Sequence, residues 1–255
     1  MANLDDYWPP SAVAAPDRGE PDRTHRRRRD TMLNRDKIVA TAIALADAEG
    51  TAAVNMRRIA GDLGAGAMSL YWYVADKEQL LDLMLDAVEG ECRVTDLSGD
   101  WRVDFRKIAR QRRRVLLKHP WVVDFMSGRN ELGPNALLQV EQSLSLLDGV
   151  DLDTRTALKI LMTIDGYVTG TVLNELREIR VEETRARDGF SDAEITAGME
   201  DWMGRLDDSG LFERVLRIFR EGIDPDAAET RDERFEFGLE CVLDGVAAQL
   251  AVSSP

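Results

Sequence analysis

The chain has 255 residues and a formal net charge of −14, long enough to bury a sizeable core in one or two domains. Cys92 and Cys241 make neither a disulfide framework nor a zinc spacing. No 18-residue apolar run suggests a membrane span, and the start lacks the basic-then-apolar order of a secretion signal, so the cytoplasm is expected. The charge is uneven, with residues 1–22 at −4, 23–77 at +4 and 78–255 at −14. An acidic protein still docks on nucleic acid when its basic surface is segregated at one end.

Residues 1–33 contain Pro9, Pro10, Pro16 and Pro21 without apolar periodicity and are expected to be a disordered tail. The run Arg26–Arg29 reads as a solvated tail segment or as an arm on phosphates or in a minor groove. Asn34–Glu49 reads as a helix with Ile38, Ala42, Leu45 and Ala46 inward, ended by Gly50. Met56, Ile59, Ala60 and Leu63 recur at helical intervals behind Asn55, a capping residue, and Gly64 stops that helix. A second short helix runs through about Tyr73, held by Leu70 and Val74. This places Ala67, Met68, Ser69, Tyr71 and Tyr73 outward, a face suited to sugars, phosphates and thymine methyls. The pattern over about 55–74 predicts a helix-turn-helix. Asp76 and Gln79 form a capping-box-like start to the next helix.

That helix spans Lys77–Glu91 with Leu80, Leu81, Met84, Leu85 and Val88 inward, and a loop over 92–100 follows. Trp101, Phe105, Ile108, Val115 and Leu116 mark a further helix ended by Pro120. Its Arg110, Arg112, Arg113 and Arg114 read mostly as a charged outer face. Trp121–Met126 is a short apolar element. Pro134 opens a helix carrying Leu137, Val140, Leu144 and Leu147, closed by Gly149. Asp153 caps a longer one with Leu158, Leu161, Met162, Val168, Val172 and Leu176 in a broad stripe and Asp165 in or near it. Gly166 and Gly170 would let another helix approach, and 177–189 either extends the helix or loops away. Ser191 and Glu194 suggest a capping box for a helix with Ile195, Met199, Trp202 and Met203. A turn at Asp207–Gly210, a short helix through Leu211–Phe219 and a last helix with Phe235, Leu239, Val242, Val246 and Leu250 complete the chain. No strand-like alternation stands out, so the fold class is all-α.

The stretch Met56–Leu81, above all Leu70-Tyr71-Trp72-Tyr73-Val74 followed by Asp76-Lys77 and Leu80-Leu81, resembles the tetracycline repressor (TetR/AcrR) family. The likeness runs from about Asn34 to the end, weakening after Arg129, and extends to a tetracycline-repressor-like C-terminal body. It implies an N-terminal three-helix DNA-binding domain (34–76) and a helical effector-binding and dimerisation body (77–255). Two copies would pair through about 154–178 and 232–251 and read a palindromic operator in double-stranded DNA. Arg57 matches a base-contacting position and can reach guanine in bidentate fashion. Ser69 and Tyr71 match base- or phosphate-contacting positions, Tyr73 replaces a histidine and still donates to phosphate, and Trp72 packs at the edge. Lys77 at a helix start is the best phosphate ligand. Ala67 and Met68 stand where family members carry glutamine and proline, so the operator sequence should differ. Asn55, beside Arg57, completes the expected DNA-contacting set.

The family resemblance also implies a small-molecule effector whose occupancy shifts the spacing of the reading heads. Ile108 and Met126 stand where metal–drug chelators carry polar ligands, and Arg112 where an aromatic would lie. With His25 and His119 the only histidines, no metal and no cofactor are expected. Trp121, Phe125, Met126 and Arg129, with Ile108, Arg112 and Asp165, are the candidate effector residues; core packing explains the aromatic ones equally well. An enzyme would need a nucleophile–base pair, a metal cluster or a phosphate loop, and none is present. The remaining alternative is a helical adaptor for protein partners that has lost DNA binding. The regulator is expected to be a repressor, the family's common case.

Overall fold

The computed structural model describes residues 33–125, 133–189 and 192–253. Ten helices follow in order: α1 (Arg35–Glu49), α2 (Met56–Asp62), α3 (Ala67–Leu70), α4 (Lys77–Glu91), α5 (Trp101–Lys118), α6 (Pro134–Ser145), α7 (Thr154–Asp188), α8 (Asp192–Ser209), α9 (Glu213–Arg220) and α10 (Arg231–Ser253). The described residues contain no strand. The Arg26–Arg29 run, Met126, Arg129 and the Ser191 cap lie outside the described residues.

The helix starts are those the side chains dictate. Asn34, Asn55, Asp76 and Asp153 each accept a hydrogen bond from an amide of the first turn that follows, satisfying donors that the helix itself leaves orphaned. Gln79 Oε1 accepts from the Ala75 amide at 2.7 Å, closing the box around the start of α4. Gly64 adopts φ +62°, the left-handed turn that ends α2 and aims α3.

α1 to α4 enclose one apolar core. Ile38, Ala42, Ile59, Leu70, Val74, Leu80 and Met84 are buried to 2% exposure or less. α3 is shorter than its pattern suggests, one helical turn followed by hydrogen-bonded turns through Tyr73. α7 continues to Asp188, so the charged stretch extends the helix.

In the body, α7 packs against α5, α6 and α10. The α5 arginines are only in part a solvent-facing stripe: Arg114 is exposed, and the others meet carboxylates. Arg113 pairs with Glu175 of α7 and Asp232 of α10, Arg110 with Glu236, Arg106 and Arg102 with Glu240, and Arg112 with Glu89 of α4 and Asp165 of α7. Arg112 stands four residues after Ile108 and three before Val115, which puts it on the buried side of the helix. Glu178 of α7, nearly inaccessible, receives Arg231 and Arg234 of α10.

The close approach of α10 to α7 is made at Gly238 and not at Gly166 or Gly170. A Cβ at Gly238 would collide with the Tyr167 ring, whereas nothing lies within 4 Å of a Cβ at either α7 glycine. Tyr167 donates to the Phe235 carbonyl at 2.7 Å and fixes this crossing.

Two polar hubs tie α4 to what surrounds it. Asp86 accepts from the Asn135 and Ala136 amides at 2.9 and 3.2 Å, capping α6 from a neighbouring helix. Burial pushes its carboxyl pKa up against the pull of those donors. Gly133 is required there, because a Cβ would strike the Asp86 carboxylate. At the other hub, buried His119 places Nδ1 2.7 Å from Asp47 of α1 and Nε2 3.3 Å from Glu91 of α4. The Trp121 indole donates to Asp47 at 2.8 Å.

Candidate nucleic-acid interface and effector cavity

The helix-turn-helix presents one outward face. Leu70 and Val74 are fully buried and fix which side of α3 looks out. Met68 is 76% exposed and Trp72 66%, and Ser69 and Tyr71 are exposed beside them. Ala67 and Tyr73 turn partly inward and pack against the core, so they contribute less to that face than alternation alone suggests. Arg35 Nε donates to the Tyr73 carbonyl and links α1 to the end of the motif.

Neighbouring basic residues have different fates. Arg58 is held by the Glu49 carboxylate through both guanidinium Nη atoms, which raises its pKa and lowers that of Glu49. Arg57, next to it, is exposed and makes no ion pair with a described residue. Lys77 is exposed at the first position of α4, where the amides of the first turn also favour an anion. Asn55 is engaged in capping: its Oδ1 accepts from the Arg58 amide at 3.0 Å and its Nδ2 donates to the Ala53 carbonyl. Asn55 is itself exposed at the start of α2.

The body holds a cavity of about 360 Å³ between α4, α5, α6 and α7. Ile108, Arg112 and Asp165 line it. Trp121 and Phe125 do not: Trp121 is buried at the α1 seam through Asp47, and Phe125 stacks edge-on against it. The core-packing explanation is the one these two fit. Apolar side chains from Phe105, Leu158, Leu161, Ile164 and Val168 form most of the wall. The polar part was not legible in periodicity. It consists of Glu89, Gln139 and Ser143 beside Arg112 and Asp165, brought together from four helices.

Arg112 Nη1 donates to Glu89 Oε2 at 3.0 Å. Arg112 Nε lies 2.7 Å from Asp165 Oδ1, off the N–H direction, so it is an ion pair without an aligned hydrogen bond. Burial opposes the Arg112 charge, but Glu89 and Asp165 more than offset it and raise its pKa. Gln139 Oε1 is buried with no hydrogen-bond partner. Among the described residues no cluster of three His, Cys, Asp or Glu side chains can hold a metal, and no helix is long and apolar enough to cross a membrane.

Residues 38–84 match the family described as bacterial regulatory proteins, tetR family, and residues 95–250 match the tetracyclin repressor-like C-terminal domain. The chain is 34% identical over 221 residues to the HTH-type transcriptional repressor DrrR1 of Streptomyces coeruleorubidus, covering 86% of this chain and 79% of that one. It is 36% identical over 190 residues to an HTH-type transcriptional regulator of Saccharopolyspora erythraea, covering 69% and 80%. Among solved structures it resembles ActR of Streptomyces coelicolor in complex with actinorhodin, with TM-score 0.64, 29% identity and coverage of 86% and 99%.

Proposed function

Because this chain belongs to the tetR family of bacterial regulatory proteins, and is a DNA-binding transcriptional regulator and not an enzyme, we propose that it is a homodimeric repressor released from a palindromic operator by a small molecule. The adaptor alternative is not favoured by these relatives. One observation carries the proposal: Met68, Ser69 and Tyr71 stand exposed over a fully buried Leu70 and Val74, and the flanking helices expose Arg57 and Lys77 in their first turns. A solvated face gains nothing from exposing an apolar and aromatic stretch. A base edge and a phosphate use it together with the two cations.

In this reading 34–76 is the reading head and 77–255 the body. Arg57 reads a guanine, Ser69, Tyr71 and Tyr73 hold phosphates or sugars, and Lys77 neutralises a phosphate. Met68 and Ala67 offer apolar contact to a thymine methyl. Dimerisation uses 154–178 and 232–251. Support comes from the outward face of these helices, which is apolar or small: Met162, Gly166, Gly170 and Leu173 on α7, and Phe237, Cys241 and Gly245 on α10 are exposed. In a two-fold dimer the heads lie about one DNA turn apart, ~34–36 Å, or a multiple of it.

The cavity is the effector site, and its occupancy is coupled to DNA through Glu89, because α4 both lines the cavity and packs on α1. ActR, in its complex with actinorhodin, makes a small organic molecule the natural class for this chain as well. The decisive experiment is selection of bound sequences from a random duplex pool. A palindromic consensus is expected; a chain that enriches no sequence and stays monomeric at micromolar concentration refutes the proposal.

A further inference from the structure

We propose that the cavity takes a lipophilic monocation, a molecule with an apolar ring body and one protonated amine that pairs with Glu89 and Asp165. This rests on reading the cavity as the effector site. The ionisable side chains in its wall are two carboxylates, Glu89 and Asp165, and one guanidinium, Arg112, so the site carries one negative charge in excess. Cys92 adds none, since burial and the nearby Glu89 push its thiol up to about 12 and keep it neutral.

Arg112 is already shared by both carboxylates, at 3.0 Å from Glu89 and 2.7 Å from Asp165. Each carboxylate retains lone pairs that one guanidinium does not use, and Gln139 Oε1 is a buried acceptor with no donor. The polar wall therefore offers unused carboxylate lone pairs and the Gln139 Oε1 acceptor against one unpaired donor, Arg112 Nε, on a guanidinium already shared by two carboxylates. An ammonium supplies up to three N–H donors and the missing positive charge. A carboxylate ligand would bring a third negative charge to one occupied guanidinium, in a pocket where low local polarisability magnifies repulsion. The remaining wall is apolar, and 360 Å³ suits a ligand of two or three fused rings. An ammonium at Glu89 also competes with Arg112, loosening the contact between α5 and the helix that carries the head.

The test titrates the full-length protein with 9-(aminomethyl)anthracene, 9-anthracenemethanol and anthracene-9-carboxylate, followed by their fluorescence. The ammonium compound is expected to bind at least tenfold tighter than the carboxylate, with the alcohol between. Glu89→Gln should cut that ratio at least threefold. Asp165→Asn, at a half-exposed position, should do so as well. Leu161→Trp, which fills the cavity, should weaken all three. If the carboxylate binds as tightly as the ammonium and Leu161→Trp abolishes both, the cation is refuted and the effector cavity stands. If no compound binds, or Leu161→Trp changes nothing, the cavity reading falls and the cation with it.

Discussion

The reading head and the body are both helical and both bury an apolar core, yet the body adds a layer of ion pairs between distant helices. The core of α1 to α4 is apolar and drawn from residues close in sequence, with Ile38, Ile59, Leu70, Val74 and Leu80 all fully buried. The body joins helices up to 142 residues apart through α5 arginines that meet carboxylates on α4, α7 and α10. Apolar packing has one good arrangement and resists being re-formed. Ion pairs can exchange partners at modest cost, provided that no charge is left buried alone. A ligand in the body can shift this layer of ion pairs while both apolar cores stay in place, so that it changes an arrangement and not a fold.

The sharpest way to break this contrast is at Leu70. Leu70→Ala should cost ~4 kcal/mol, within the usual range for a buried leucine, and abolish operator binding; thermal unfolding together with a gel shift measures both. Next comes the body. Glu178→Ala strips a nearly inaccessible carboxylate from Arg231 and Arg234 and should cost ~3 kcal/mol. The salt-induced loss of stability should shrink in this variant, which lacks the pair, and persist in Leu70→Ala, which keeps it.

Arg57→Ala should cost ~1–3 kcal/mol at the cognate operator and relax one base position, whereas Lys77→Ala should weaken every duplex alike and lower the salt slope by about one. Equal loss on all sequences for Arg57→Ala would assign that arginine to phosphate. The smallest effect lies at the α5–α10 seam. Arg106 and then Arg102 hold Glu240 down to about 2 from its ordinary 4.5. A depressed carboxylate contributes stability above its unfolded value and loses it as pH falls through the window from about 4.5 to about 2. Half-exposed and screened, it should contribute about 1 kcal/mol or less. The urea midpoint of the protein should fall more steeply across that window than that of Glu240→Gln.

Arg57 and Arg58 show where sequence reading stops. They are adjacent and chemically identical, yet Glu49 occupies only Arg58, and nothing in the sequence order decides this. Arg112 was readable in part. Its spacing from Ile108 and Val115 already set it on an apolar face, a signal obscured by the arginines around it. Glu89 and Gln139 carry no such mark, since a polar residue on an amphipathic helix is expected to face solvent unless a second helix covers it. The same ambiguity led Trp121 toward the cavity, although its indole proton is used by Asp47.

The sequence alone determined the helical plan of the described chain, the caps at Asn34, Asn55, Asp76 and Asp153, the stop at Gly64, and the outward placement of Met68, Ser69 and Tyr71. These depend on backbone donors, glycine conformations and apolar spacing within a few residues, all of which are local. The tertiary structure decided which arginine stays available, which glycine lets α10 close on α7, and which polar side chains share one cavity. Those outcomes depend on groups far apart in the chain meeting across a helix interface, and the pairing of opposite charges there is set by three-dimensional distance.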